Sequence, residues 1–194
     1  MTNATHDVTL ACHSEFLPDK LLVRYEVTNR WVKDIYILDA VPAVDQSSRT
    51  AVVDLNSVFL CWRPPATALL LKGITPLPAN KTVVVRIIPL GTKLAPGQKI
   101  ERTFEVPLPL REQSIYYAPV KMEEMADTKV GNMSLVVQFI RSTVEGFNAV
   151  PAPYAPKFFI VRGKNTVGQA ESRECQFHDA EVRLLKRTDM FTRL

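Results

Sequence analysis

Glycine is scarce in this chain, seven residues in 194. A phosphate-cradling loop needs several glycines close together, because only they let backbone amides approach a pyrophosphate. No such loop occurs, and neither a G-x-S-x-G nucleophile elbow nor an H-E-x-x-H zinc motif is present. Histidine is scarcer still, with His6 and His13 near the start and His178 near the end. No apolar run approaches the ~18–20 residues of a membrane span. The opening "MTNATHDVTL" lacks a basic segment followed by an apolar one, so it does not read as a signal peptide. The chain is then cytoplasmic if this N-terminus is native, and periplasmic if an export signal has been removed. A net charge of +4, spread along the chain, is too small a surplus to predict nucleic-acid binding.

Cysteine is also sparse. Cys12, Cys61 and Cys175 are three, so at least one has no partner within the chain. Cys61 lies among apolar neighbours, and free buried thiols in a reducing compartment are the default expectation. A metal site built from Cys12, His13, Cys175 and His178 is disfavoured by strand geometry. Adjacent residues, and residues three apart, point to opposite faces of a strand, so Cys12 opposes His13 and Cys175 opposes His178. Cys12 and Cys175 remain able to share an inner face, as packed thiols or as a bridge. No metal and no cofactor are expected.

Apolar residues at 46% and charged residues at 23% are ordinary globular values and argue against disorder. The dominant pattern has period two. Leu21, Val23, Tyr25 and Val27 alternate with Leu22, Arg24, Glu26 and Thr28. Ile100, Phe104 and Val106 alternate with Glu101, Thr103 and Glu105, with Arg102 intruding on the apolar set. Leu135, Val137 and Phe139 share a face, as do Cys175 and Phe177, while "ALLLKG", "TVVVRII" and "KFFIVRG" are short β-rich runs. Helical signal is confined to "PVKMEEMAD", residues 119–127, where Pro119 is placed to start about two turns. Nine to eleven short strands are predicted, the pattern of an all-β sandwich. One elaborated domain over 1–187 with a frayed tail at 188–194 follows.

Pro107 and Pro109 in "FEVPLPLRE" remove two backbone donors from the same side of a strand. That is tolerable only on an unpaired edge, so an edge strand blunted against aggregation is expected here.

The side chains that could carry function are mostly aromatic. Trp31, Trp62, Tyr116, Tyr117, Phe147 and Tyr154 lie in or beside connections. Such residues act either as recognition groups or as lids on a core. Trp62 reads as a core cap following "SVFL", whereas Trp31, Tyr116, Tyr117, Phe147 and Tyr154 are the candidate binding residues. In "VTNRWVKDIYILDAV" the polar turn is supplied by Asn29, Arg30, Lys33 and Asp34, which leaves Trp31 with Val32 to fold back over the end of the sandwich. Carboxylate pairs occur at Glu123 with Glu124, Asp34 with Asp39, and Glu171 with Glu174. Acid–base chemistry requires two carboxyls facing one another across a cleft, which spacing alone does not establish.

Two stretches carry a resemblance. "LLVRYEVTNRWVKDIYILDA" resembles the strand–turn–strand of bacterial immunoglobulin-like domains, and "KLAPGQKIERTFEV" resembles their later turn and strand. The pattern is similar to that of small intracellular proteinase inhibitors of immunoglobulin-like fold and to the first domain of periplasmic pilus chaperones. "LPLREQSIYY" is loosely similar to the segment that follows in the chaperones. The chain departs from both in its extra strand material between residues 50 and 90, and it has too little after residue 140 for a full second chaperone domain. The resemblance therefore implies an immunoglobulin-like antiparallel sandwich with extra strands and one short helix, and carries no functional residue across.

The resulting expectation is a non-catalytic binding or assembly module whose partner is another protein, with a homodimer as a further arrangement. A carbohydrate-binding module or a carboxylate-dependent hydrolase is the alternative.

Overall fold

The computed structural model describes residues 7–178 and 181–189. Its strands fall into three sheets. The first contains β1 (Val8–Phe16), β2 (Lys20–Asn29) and β8 (Lys99–Pro107), antiparallel in the order β1-β2-β8. The large sheet contains β3 (Ile35–Val44), β5 (Phe59–Arg63), β6 (Thr67–Lys72), β7 (Leu90–Leu94), β11 (Asn132–Arg141), β12 (Asn148–Ala152) and β13 (Ala155–Arg162). Its path runs β12-β13-β7-β3-β11-β6-β5, with β14 (Glu171–His178) added on β11 and β4 (Ala51–Asp54) on β3. A small third sheet orders β10 (Ala126–Val130), β15 (Val182–Lys186) and β9 (Leu110–Arg111) as β10-β15-β9.

The all-β class expected from the alternation is observed. On β2, Leu21, Val23, Tyr25 and Val27 are buried while the intervening side chains face outward. They pack, with Phe104 and Val106 of β8, against Ile35, Ile37, Leu60, Leu70, Leu135 and Phe139 of the large sheet. That sheet is covered on its other face too. Phe59, Cys61, Leu69, Leu71 and Val136 lie under Tyr116 and Tyr117, and Tyr36, Leu38 and Ile140 lie under Phe147. Burial on both faces explains why β6 reads as the unbroken run "TALLLK" rather than as an alternation, and β6 pairs in parallel with β11.

β8 forms the outer strand of its sheet, and Pro107 sits opposite Lys20 at its end. The donor-poor segment therefore lies on an edge, where its missing amides leave no ladder bond unmade.

Three expectations are corrected. Residues 119–127 do not form a helix: Met122–Glu124 make a single 3-10 turn and the chain is extended again from Ala126. None of the three turn residues is buried, so a short helix there has no apolar face to dock, and two unsupported turns do not hold. "TVVVRII" forms no strand, and residues 82–88 run as an irregular surface segment. Strand propensity needs a ladder partner to become a strand. Finally, Cys12 and Cys175 are joined in a disulfide, and Cys61 is buried outside that bond. β1 and β14 run side by side along the seam between the two sheets, where Arg173 Nε donates to the Val8 carbonyl at 2.9 Å and Ser14 Oγ to the Phe177 carbonyl at 3.5 Å. The alternation turns both cysteines toward that seam. Of the tail expected at 188–194, residues 190–194 lie outside the described residues, as does His6.

Candidate functional site

The five candidate aromatics do not converge on one surface. Trp31 packs against the core between the sheets, and the Arg141 guanidinium stacks 4.5 Å from its ring. Arg141 is itself held by Asp7 at 2.6 Å and Glu171 at 2.5 Å. The turn that delivers Trp31 is built by buried Asn29, whose Nδ2 donates to the carbonyls of Lys33 and Leu94 and whose Oδ1 accepts from the Trp31 amide. Phe147 lies against Tyr36 with ring centroids 5.0 Å apart, on the opposite face of the large sheet. Tyr154 is exposed in the turn between β12 and β13. Trp62, read as a core cap, packs against the core with Lys186 over its ring.

Tyr116 and Tyr117 alone stay together, and they serve a segment that lies far from them in sequence. The amide of Ile87 donates to Tyr116 Oη at 3.0 Å. Tyr117 Oη donates to Asn80 Oδ1 at 3.1 Å, and the Lys81 ammonium sits 4.2 Å from the Tyr117 ring centroid. The stretch 81–87 is thus tethered at both ends by adjacent tyrosines. Between the tethers Val84 is 93% exposed and Val85 71%. Among the described residues the amides and carbonyls of Val83–Arg86 make no hydrogen bond. A cavity of about 360 Å³ opens beside Tyr117, lined by Arg111, Gln113, Ser114, Met125 and Arg187.

The carboxylate pairs are separated rather than opposed. Asp34 pairs with Lys93, Glu171 with Arg141, and Glu174 with Arg63, whereas Glu123 and Glu124 are exposed on the 3-10 turn. Glu112, absent from the sequence candidates, is buried and accepts from the amides of Trp62 and Arg187, both at 2.7 Å. It stitches β5 to the end of β15.

The other missed feature is a polar cluster inside the sandwich. Asp39 of β3 is buried and accepts from Tyr25 Oη at 3.0 Å and Thr92 Oγ1 at 2.7 Å. Arg102 Nε lies 3.3 Å from the same carboxylate. Lys72, 2% exposed, donates to the carbonyls of Leu55 and Ser57 and sits over the Phe104 ring. The signal was legible in part: Arg102 interrupts an apolar face, and Asp39 and Lys72 each stand in line with inward-facing residues of their strands.

Burial lowers the Lys72 pKa to about 8, with Asp39 and Asp54 pulling it partly back. In the unfolded chain the ammonium keeps its proton to about pH 10.4. Between these values the unfolded state binds more protons, so stability rises with pH from about 8 to 10. Above that, Tyr25, whose ionisation burial pushes well beyond the usual phenol value, stays protonated only when folded, and stability turns down. A gain of about 2–3 kcal/mol is expected between pH 8 and 10 by urea unfolding, and the slope should vanish in Lys72→Met.

No protein-family model matches the chain. No curated protein and no solved structure matches it either.

Proposed function

We propose that the protein is a non-catalytic binding or assembly module of immunoglobulin-like design, and that it engages another protein through residues 82–88. The observation that carries this reading is the display of Val84 and Val85 at 93% and 71% exposure on a backbone with unused hydrogen-bonding groups. β-branched residues exposed together on such a backbone are the raw material of strand addition. Main-chain hydrogen bonds to an incoming strand then supply affinity, and alternate side chains supply specificity. Tyr116 and Tyr117 support the segment from beneath instead of forming the contact themselves. The Cys12–Cys175 bridge suits an oxidising compartment.

Hydrogen exchange on the protein alone and on complexes purified through an affinity tag from its own cells tests this. The amides of Val83–Arg86 should exchange within seconds in the isolated protein, and those on the paired side, every second one, should become protected at least about a hundredfold in the complex, the protection a formed ladder bond gives. Complexes that leave these amides as fast as in the free protein would sink the reading.

A further inference from the structure

The charges around the displayed segment specify its partner, on the reading just given that residues 82–88 are the binding element. From Leu55 to Ile100 the sequence contains no aspartate or glutamate, while Arg63, Lys72, Lys81, Arg86, Lys93 and Lys99 all fall within it. Four of the six have their charge accounted for. Arg63 pairs with Glu174, Lys93 with Asp34, and Lys99 with Glu26 and Glu101, and Lys72 is enclosed in the core.

Lys81 and Arg86 are the two that remain, and they bracket the exposed valines. Neither makes a close ion pair among the described residues: the Asp189 carboxylate attracts Lys81 while paired with Arg187, and the buried Nε of Arg86 has no acceptor there. A binding strand that placed two more cations here would meet repulsion, and a neutral one would leave Arg86 without a counter-charge and Lys81 with only a share of Asp189 in a newly dried interface.

We infer that the partner presents an extended strand in which a central run of small apolar residues is flanked by acidic ones, because Val84 and Val85 point to opposite faces of a paired strand, as do Lys81 and Arg86. Its backbone pairs with Val83–Arg86, its apolar side chains cover Val84 and Val85, and its carboxylates reach Lys81 and Arg86. The carboxylates select the partner and speed encounter, while the valines and the ladder hold it. A second copy of this chain fits less well, because a two-fold contact at Val84 would bring two like-charged brackets together.

The test uses three acetylated, fluorescein-labelled heptapeptides with a central run of valines flanked on both sides by glutamate, threonine or lysine. In anisotropy titrations the glutamate peptide should bind saturably, about three- to thirtyfold tighter than the threonine peptide, as two exposed ion pairs predict. The advantage should shrink between about 50 mM and about 300 mM salt. Binding should protect alternate amides within Val83–Arg86. The double substitution Lys81→Gln and Arg86→Gln should bring glutamate and threonine peptides to equal affinity while the far-ultraviolet dichroism shows the protein still folded.

Equal binding of these two peptides by the wild-type protein, with the same amides protected, would overturn the acidic partner and leave the binding element standing. Failure of all three to protect Val83–Arg86 would overturn the inference as well, and unprotected amides in the cellular complexes would then remove the binding element itself. A molar mass that rises with concentration, with these amides protected in the absence of peptide, would place a second copy at the segment and overturn the acidic strand.

Discussion

Replacing Asp39 with alanine should cost about 3–5 kcal/mol of folding stability, the largest effect expected of any single side chain in the sandwich. The carboxylate accepts from Tyr25 and Thr92 and faces Arg102, and it offsets the charge of Lys72. Its removal strands two hydroxyls without an acceptor, takes from Arg102 its paired carboxylate and leaves Lys72 only Asp54, in a region that also holds Phe104. Asp39→Asn should cost less than Asp39→Ala, because the amide oxygen can still accept while the charge is lost. Urea unfolding of both variants measures this. A loss below about 1 kcal/mol for Asp39→Ala would mean that water or rearranged side chains satisfy the cluster. Removing the whole cluster should behave differently. A variant in which Asp39, Lys72 and Arg102 all become apolar should recover most of what Asp39→Ala loses, since buried ion pairs confer little net stability over well-packed hydrocarbons.

The second large effect belongs to the disulfide. Cys12 and Cys175 are 163 residues apart, so their bond restricts nearly the whole unfolded chain. Chain-entropy reasoning puts the stabilisation of so long a loop at about 3–5 kcal/mol. The bond crosses a seam at which β1 and β14 share side-chain contacts and no backbone ladder among the described residues. Reduction should therefore lower the urea midpoint while leaving the far-ultraviolet dichroism of the folded state intact. Thiol titration of the unfolded oxidised protein should find one reactive group, Cys61, and three after reduction. A midpoint indifferent to reductant, in protein shown by mass to be bridged, would contradict this account.

The site was less legible than the fold, and particular residues show why. Tyr116 and Tyr117 stand out in sequence as a pair of loop aromatics, and the pairing is real. Their role as tethers depends on Asn80, Lys81 and Ile87, which lie some thirty residues upstream and acquire meaning only when the two connections meet. Trp31 and Phe147 look equivalent to them by the same criterion, yet each is committed to a different hydrophobic cluster. Glu112 and Asp39 carry no local mark of burial beyond an inward position, because their partners come from other strands.

The sequence by itself determined the all-β class, the inward faces of β2 and β8, the edge position of Pro107 and the absence of a nucleotide loop. Each of these rests on local chemistry: side-chain alternation every two residues, a missing amide, or a glycine that is not there. Tertiary structure decided which cysteines bond, which charges share the interior, and that "TVVVRII" stays unpaired on the surface. Those outcomes depend on which strand edges meet. A strand-forming segment becomes a strand only where a neighbour offers its backbone, and here the chain leaves that place to another molecule under the function proposed.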